Sequence, residues 1–201
     1  MSTSAVNCRS YDRIADQWTA ARDASFVSRL IIDFATKVCV RGRILDIGCG
    51  SGYVAAYLTA QGFQLTGVDS AKKMIARANT LSLAGADFRC MDFFDFVSPQ
   101  KFDGLLAWDS FFHFPKARQA DIYQKAAGLL HHAGYLLFTH GDADDEHVDQ
   151  MMGESFYYSA LPKQQVVQLL QAAGFSVVYA YTNFMEQGTD RRLVVLAQKV
   201  R

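Results

Sequence analysis

The run RILDI at 43–47 ends in the glycine-rich turn GCGSG at 48–52, and Val54, Ala55, Leu58 and Gln61 then keep helical spacing as far as Gly62. No other feature constrains the fold of the chain as much. A strand that turns through glycines straight into a helix is the first half of a βαβ unit, and the strand completing that unit must lie parallel to the first. A second strand is read at 64–68, with Ser70 placed to cap a helix carrying Met74, Ile75 and Ala78. Further strands are read at 86–91, 102–108 and 135–139, and a helix over 116–130 has apolar positions at Ala120, Tyr123, Ala127 and Leu130.

Upstream of the glycine turn, Tyr11, Ile14, Ala15 and Trp18, and then Phe26, Leu30, Phe34 and Val38, fall at the spacing of two amphipathic helices. Downstream, an irregular acidic stretch precedes Pro162, a helix over 163–173 and Gly174. Two strands at 175–182 and 191–198 then read as an antiparallel hairpin at the sheet's end. This alternation predicts an α/β fold: a doubly wound, mostly parallel sheet of seven strands covered on both faces. Half of the 201 residues are hydrophobic, enough for one core, so a single domain over 1–201 is expected.

Twenty basic residues balance twenty acidic ones, so no overall field draws the chain to nucleic acid or to an anionic membrane. Cys8, Cys39, Cys49 and Cys90 are scattered, without metal or disulfide spacing, and read as reduced, mostly buried thiols. No apolar run reaches the length of a signal peptide or a membrane span, and a soluble cytoplasmic protein is expected.

Glycines at 48, 50 and 52 permit close approach of the backbone to a ligand at a helix N-terminus. A dinucleotide site needs a small residue at the third position of G-x-G-x-x-G/A, but here that position is Tyr53, which disfavours NAD and FAD. Asp69 ends the second strand about twenty residues further on, where a carboxylate accepts hydrogen bonds from a ribose diol. Asp92-Phe93 ends the third strand, an acid for an adenine amino group beside an aromatic ring. Together these residues define a nucleoside pocket.

From about Tyr11 onward the chain resembles the class I S-adenosylmethionine (SAM)-dependent methyltransferases, which have a Rossmann-like fold. LDIGCGSG (45–52) is similar to that family's first motif, followed by GVDSAKKMI (67–75), DFRCMDFFDF (87–96), FDGLLAWDSFFHFP (102–115) and GYLLFTHGD (134–142). The resemblance implies cofactor contacts from Asp46, Gly48, Cys49 and Gly50, from Asp69 and Ser70, from Met74 on the adenine, and from Asp92, Phe93 and Trp108. Tyr11 resembles a tyrosine that lids the cofactor in small-molecule members, with Trp18 and Arg22 on the same helix, so that residues 1–40 form a lid. The segment 151–178 resembles a group of uncharacterised bacterial members. The string Trp108-Asp-Ser-Phe111 stands where base and glutamine methylases carry Asn/Asp-Pro-Pro-aromatic, and the paired cysteines of arsenite methyltransferases are missing.

What the resemblance implies is methyl transfer from SAM, with S-adenosylhomocysteine (SAH) as product, to an O, N or C nucleophile of a small molecule, with no nucleic-acid or membrane partner. The alternatives are a non-catalytic SAM-binding module and a nucleic-acid or protein methyltransferase. Alignment of the nucleophile is the protein's main task. Where a base is needed, the candidates are His113, His140 and Asp109, in that order. Phe112, Tyr157 and Tyr158 are expected at the substrate, within an aromatic set that includes Phe111 and Phe156. The acidic run 142–147 lacks the glycine and glutamate of a calcium loop and reads as a solvated loop and mobile lid, with no metal.

Overall fold

A computed structural model of the chain describes residues 3–21 and 26–201, the first three by backbone alone. Helices α1 (Thr3–Ala21) and α2 (Arg29–Lys37) precede β1 (Arg43–Ile47), α3 (Tyr53–Ala60), β2 (Gln64–Asp69), α4 (Lys72–Thr80), β3 (Ala86–Cys90) and β4 (Phe102–Ala107). Then come α5 (Gln119–Leu129), β5 (Leu130–His140), β6 (Asp145–Met151), β7 (Glu154–Ala160), α6 (Lys163–Ala172), β8 (Phe175–Glu186) and β9 (Thr189–Lys199). The main sheet has seven strands in the order β3-β2-β1-β4-β5-β9-β8, parallel from β3 to β5 and antiparallel in the closing β8–β9 hairpin.

The two-residue period of a strand divides its side chains between two cores. Leu45, Leu105, Leu136, Phe138 and Val195 face α5 and α6. Ile44, Leu106, Leu137 and Val194 face α2 and α3, where Phe34 and Leu58 are fully buried. Helix α2 starts at Ser28, whose Oγ accepts from Leu30 N at 3.3 Å, so Phe26 lies ahead of the helix. Because Leu30, Ile31 and Phe34 are core residues, α2 belongs to the body of the fold, and of the 1–40 segment expected as a lid only α1 stands over the site. Arg22 lies outside the described residues.

Three further expectations are corrected. The acidic stretch is not an irregular loop: β6 and β7 form a separate antiparallel hairpin, turning at Met152 and Gly153, both with positive φ. Ser70 does not cap α4; Ala71 is its N-cap, no side chain caps the helix, and Asp69 Oδ1 accepts from Ala71 N at 2.8 Å just ahead of it. Of the four free cysteines only Cys49 is buried; Cys39, in the connection from α2 to β1, and Cys90, at the end of the edge strand β3, are exposed. Among the described residues no helix is long and apolar enough to cross a membrane.

Candidate active site

Strand order reverses between β1 and β4, so the loops leaving these two strands part and open a crevice at the carboxyl end of the sheet. Gly48 N and Cys49 N both donate to Val68 O, at 2.8 and 3.1 Å, pinning the glycine turn to β2. Ser110 Oγ donates to Ile47 O at 2.7 Å and ties in the loop after β4. Gly48 is obligatory, since a Cβ there would stand 2.5 Å from Ser110 Cβ at a φ of +74°. Gly50, at φ +53°, is the opposite case: nothing lies within 4 Å of where its Cβ would be. The turn is held from below and open above.

Asp69, at the end of β2, accepts from Gly50 N at 3.0 Å and Ala71 N at 2.8 Å, one bond to each oxygen. A carboxylate has about four acceptor positions, so two remain for a vicinal diol. Burial pushes its pKa up to about 6 against the opposing pull of those two N–H donors. Met74, 1 % exposed, packs with Ala15 and Ala71 beneath Tyr11 and Trp18. At the end of β3, Asp92 Oδ1 accepts from Phe94 N at 2.8 Å, which orients the carboxyl beside Phe93.

The crevice has ≈ 920 Å³ of space free of protein atoms, the open solvent at its mouth included. The structure brings to its wall Tyr11, Trp18, Gly48, Cys49, Gly50, Asp69, Ser70, Met74, Asp92, Phe93, Trp108, Asp109 and His113. It does not bring Asp46, which is 3 % exposed, shares the sheet face of Ile44 and lies beneath the turn. Nor do Phe112, Tyr157 or Tyr158 reach the wall. Phe112 and Tyr158 pack their rings on His113 from behind, at 4.7 and 5.1 Å between centroids, while Phe111 is buried in the core.

The three candidate bases stand in different situations. Asp109, in a left-handed conformation after β4, is gripped by Arg191 of β9 through two 2.9 Å hydrogen bonds, and Arg191 also lies over the Trp108 ring. The Asp109 carboxylate is committed to that ion pair. His140, 2 % exposed, donates through Nδ1 to Gly141 O, and its Nε2 is buried with no partner among the described residues. It is not part of the crevice wall. His113 alone of the three is an imidazole on the wall, and burial lowers its pKa to about 4, opposed by Tyr157 O and the charge of Asp109.

Sequence reasoning missed the seat of α1. Asn7 uses its whole amide on the main chain of β7: Oδ1 accepts from Tyr157 N at 2.8 Å and Nδ2 donates to Tyr157 O at 2.9 Å. One turn later, Ser10 Oγ donates to Ser155 O at 2.6 Å. On the far side Asp12 accepts from Lys73 N at 2.7 Å, and Asp16 pairs with Arg77. Helix α1 thus spans from the hairpin to α4 above the crevice, lowering Tyr11 against His113 and Phe156. The only signal was the polar pair Asn7 and Ser10, spaced i, i+3 on one helix face.

A glycine floor, a buried carboxylate after the second strand and an acid after the third, on this strand order, define a doubly wound protein with a crevice of the kind that takes an adenosyl ligand. The chain matches the family described as "Methyltransferase domain" over residues 19–180. It is similar to the ubiquinone biosynthesis O-methyltransferase of Chromobacterium violaceum, 27 % identical over 141 residues, which are 64 % of this chain and 60 % of that protein. In fold it is similar to DhpI in complex with SAH (TM-score 0.72, 20 % identity, 98 % and 97 % of the two chains). A further likeness is to the 1,6-didemethyltoxoflavin-N1-methyltransferase of Burkholderia thailandensis with its ligand and SAH (TM-score 0.70, 18 % identity, 96 % and 88 %). The chain belongs to the class I SAM-dependent methyltransferases. It spans less than two thirds of the ubiquinone O-methyltransferase it matches.

Proposed function

We propose that this protein moves the methyl group of SAM to a small-molecule acceptor. The observation that carries the reading is Asp69: its carboxylate is oriented by Gly50 N and Ala71 N and keeps two acceptor positions toward the crevice, beside a glycine above which there is open space. Bound SAM supplies a sulfonium methyl open to in-line displacement. The chain's own part is to hold, align and keep water out. Asp69 holds the ribose hydroxyls, Asp92 the adenine edge, and Met74 with Phe93 the adenine faces. Gly48, Cys49, Gly50 and Ser70 line the methionine side with Trp108, while Asp46 lies buried beneath the turn.

Beyond the adenosyl end the wall is Tyr11, Trp108, His113 and Phe114. Its imidazole is neutral and its one acid, Asp109, is offset by Arg191, which suits an uncharged acceptor with an apolar or aromatic body. The names of the two methyltransferases above support a small molecule over a macromolecule, as does the balanced charge of the chain. Helix α1 serves as the roof.

The test is thermal stabilisation. SAH at about 100 times its Kd should add about 2.7 kcal/mol to the native state, and NAD nothing. Asp69→Ala should abolish the SAH effect. Stabilisation by NAD without stabilisation by SAH would overturn the proposal.

A further inference from the structure

His113 sits in a cluster whose geometry decides which of its ring nitrogens carries the proton. Asn7 Nδ2 lies 2.9 Å from Tyr157 O, His113 Nδ1 lies 3.0 Å from the same oxygen, and the two nitrogens are 2.9 Å apart. The Asn7 amide cannot be turned over, because Tyr157 N donates to its Oδ1 at 2.8 Å and its nitrogen must therefore face the carbonyl. The three distances form a nearly equilateral triangle. Nδ2 cannot aim one N–H at the carbonyl and the other at the ring, since the two N–H bonds of an amide diverge more widely than those two directions. Both nitrogens therefore donate to the Tyr157 oxygen, which has a lone pair for each. The proton is on Nδ1 and the bare pair on Nε2, where the Tyr11 hydroxyl, 2.8 Å away, donates to it.

On the reading of this crevice as a methyl-transfer site, we infer that Tyr11 and His113 form the proton relay for the acceptor, with the Tyr157 carbonyl and the Asn7 amide as its positioning groups. As the acceptor atom X forms its bond to the methyl carbon, the S–CH3 bond would break with its electron pair left on sulfur, and the X–H bond breaks with its pair left on X. The released proton goes to the Tyr11 oxygen while the phenol proton passes to Nε2 of His113. Tyr11 is restored and His113 becomes an imidazolium. The positive charge that methyl transfer removes from the crevice reappears on the ring, so an enclosed site carries the same net charge before and after, and low dielectric opposes the step least. Opening of α1 then returns the proton to water.

The groups that face His113 are Tyr11 from α1, Asp109 from the loop after β4, itself paired with Arg191 of β9, and Tyr157 and Tyr158 from β7, with His147 of β6 stacked behind Tyr158. Asp109 is the charge that favours the imidazolium.

The test is nitrogen NMR of the whole chain labelled at histidine, with His113 assigned by the signal missing in His113→Gln. Without ligand at pH 7, Nδ1 should be protonated and Nε2 bare; a protonated Nε2 overturns the inference. Tyr11→Phe should shift the Nε2 resonance toward that of an unbonded nitrogen and leave Nδ1 in place; an unmoved Nε2 overturns it as well. His113 should also titrate higher in the SAH complex than in the SAM complex, by about one and a half pH units, the effect of a cation at about 8 Å and an effective dielectric of about 20. If both ligands bind and the midpoints coincide, the relay alone fails. If neither binds, the methyl-transfer reading fails and takes the relay with it.

Discussion

Asp46→Asn should make the ligand-free protein more stable at neutral pH. The Asp46 carboxyl is 3 % exposed, and burial first, then the neighbouring charge of Asp69, raises its pKa from 3.8 to about 7. In the unfolded chain it ionises near 3.8. Between these values the native state holds a proton that the unfolded state has lost, so stability is highest below pH 4, falls as pH rises towards 7 and stays low above. About three pH units at about 1.4 kcal/mol each make about 4 kcal/mol, a large part of the roughly 5–15 kcal/mol that stabilises a domain. Asparagine keeps the shape and carries no charge. Urea unfolding from pH 4 to pH 8 should give equal midpoints for the two proteins at the acid end, and an advantage of about 2–4 kcal/mol for the variant at pH 8. Parallel pH profiles would refute the reasoning. The same signs apply to Asp69, where the diol prefers the ionised carboxylate, so SAH affinity measured by calorimetry should climb as pH rises through about 6.

Asn7→Ala removes both bonds to the Tyr157 main chain and should cost about 1–3 kcal/mol, read by chemical denaturation, and speed SAH release in stopped flow. Arg191→Met leaves Asp109 without its bidentate partner and should cost about 3–5 kcal/mol; an unchanged Tm would show that the ion pair holds nothing in place. Gly48→Ala meets Ser110 at 2.5 Å, whereas Gly153→Ala at a similar positive φ meets nothing within 4 Å. Both bear strain of about 1–3 kcal/mol, but the first should lose clearly more stability in the same melt.

The main sheet was legible because each of its strands leaves a mark that survives without tertiary context. RILDI, 64–68 and 135–139 are apolar runs bounded by turns, and a sheet covered on both faces requires such runs. The β6–β7 hairpin left less. The burial of β6 is that of an exposed strand from Asp145 to Gln150, so its acidic sequence shows no alternation, and its turn uses Met152-Gly153 where Asn-Gly is the familiar signal. The aromatic run 156–158 beside Gly153 was the available hint. At the site, the glycine turn, Asp69 and His113 could be placed because strand ends in this topology converge. Phe112 is one residue from the wall residue His113, on a short turn whose period decides which way a side chain faces, and no side chain of β7, Tyr157 and Tyr158 included, lines the crevice. His140 ends a strand as expected but is buried beside Phe138 and does not line the crevice.

Helix α1 grips the hairpin by its peptide groups: Asn7 and Ser10 ask of β7 only an N–H and two carbonyls. Any sequence that keeps the strand extended offers the same handholds. The side chains of β7 that flank His113 are therefore at liberty to diversify for new acceptors while closure over the cofactor stays as it is.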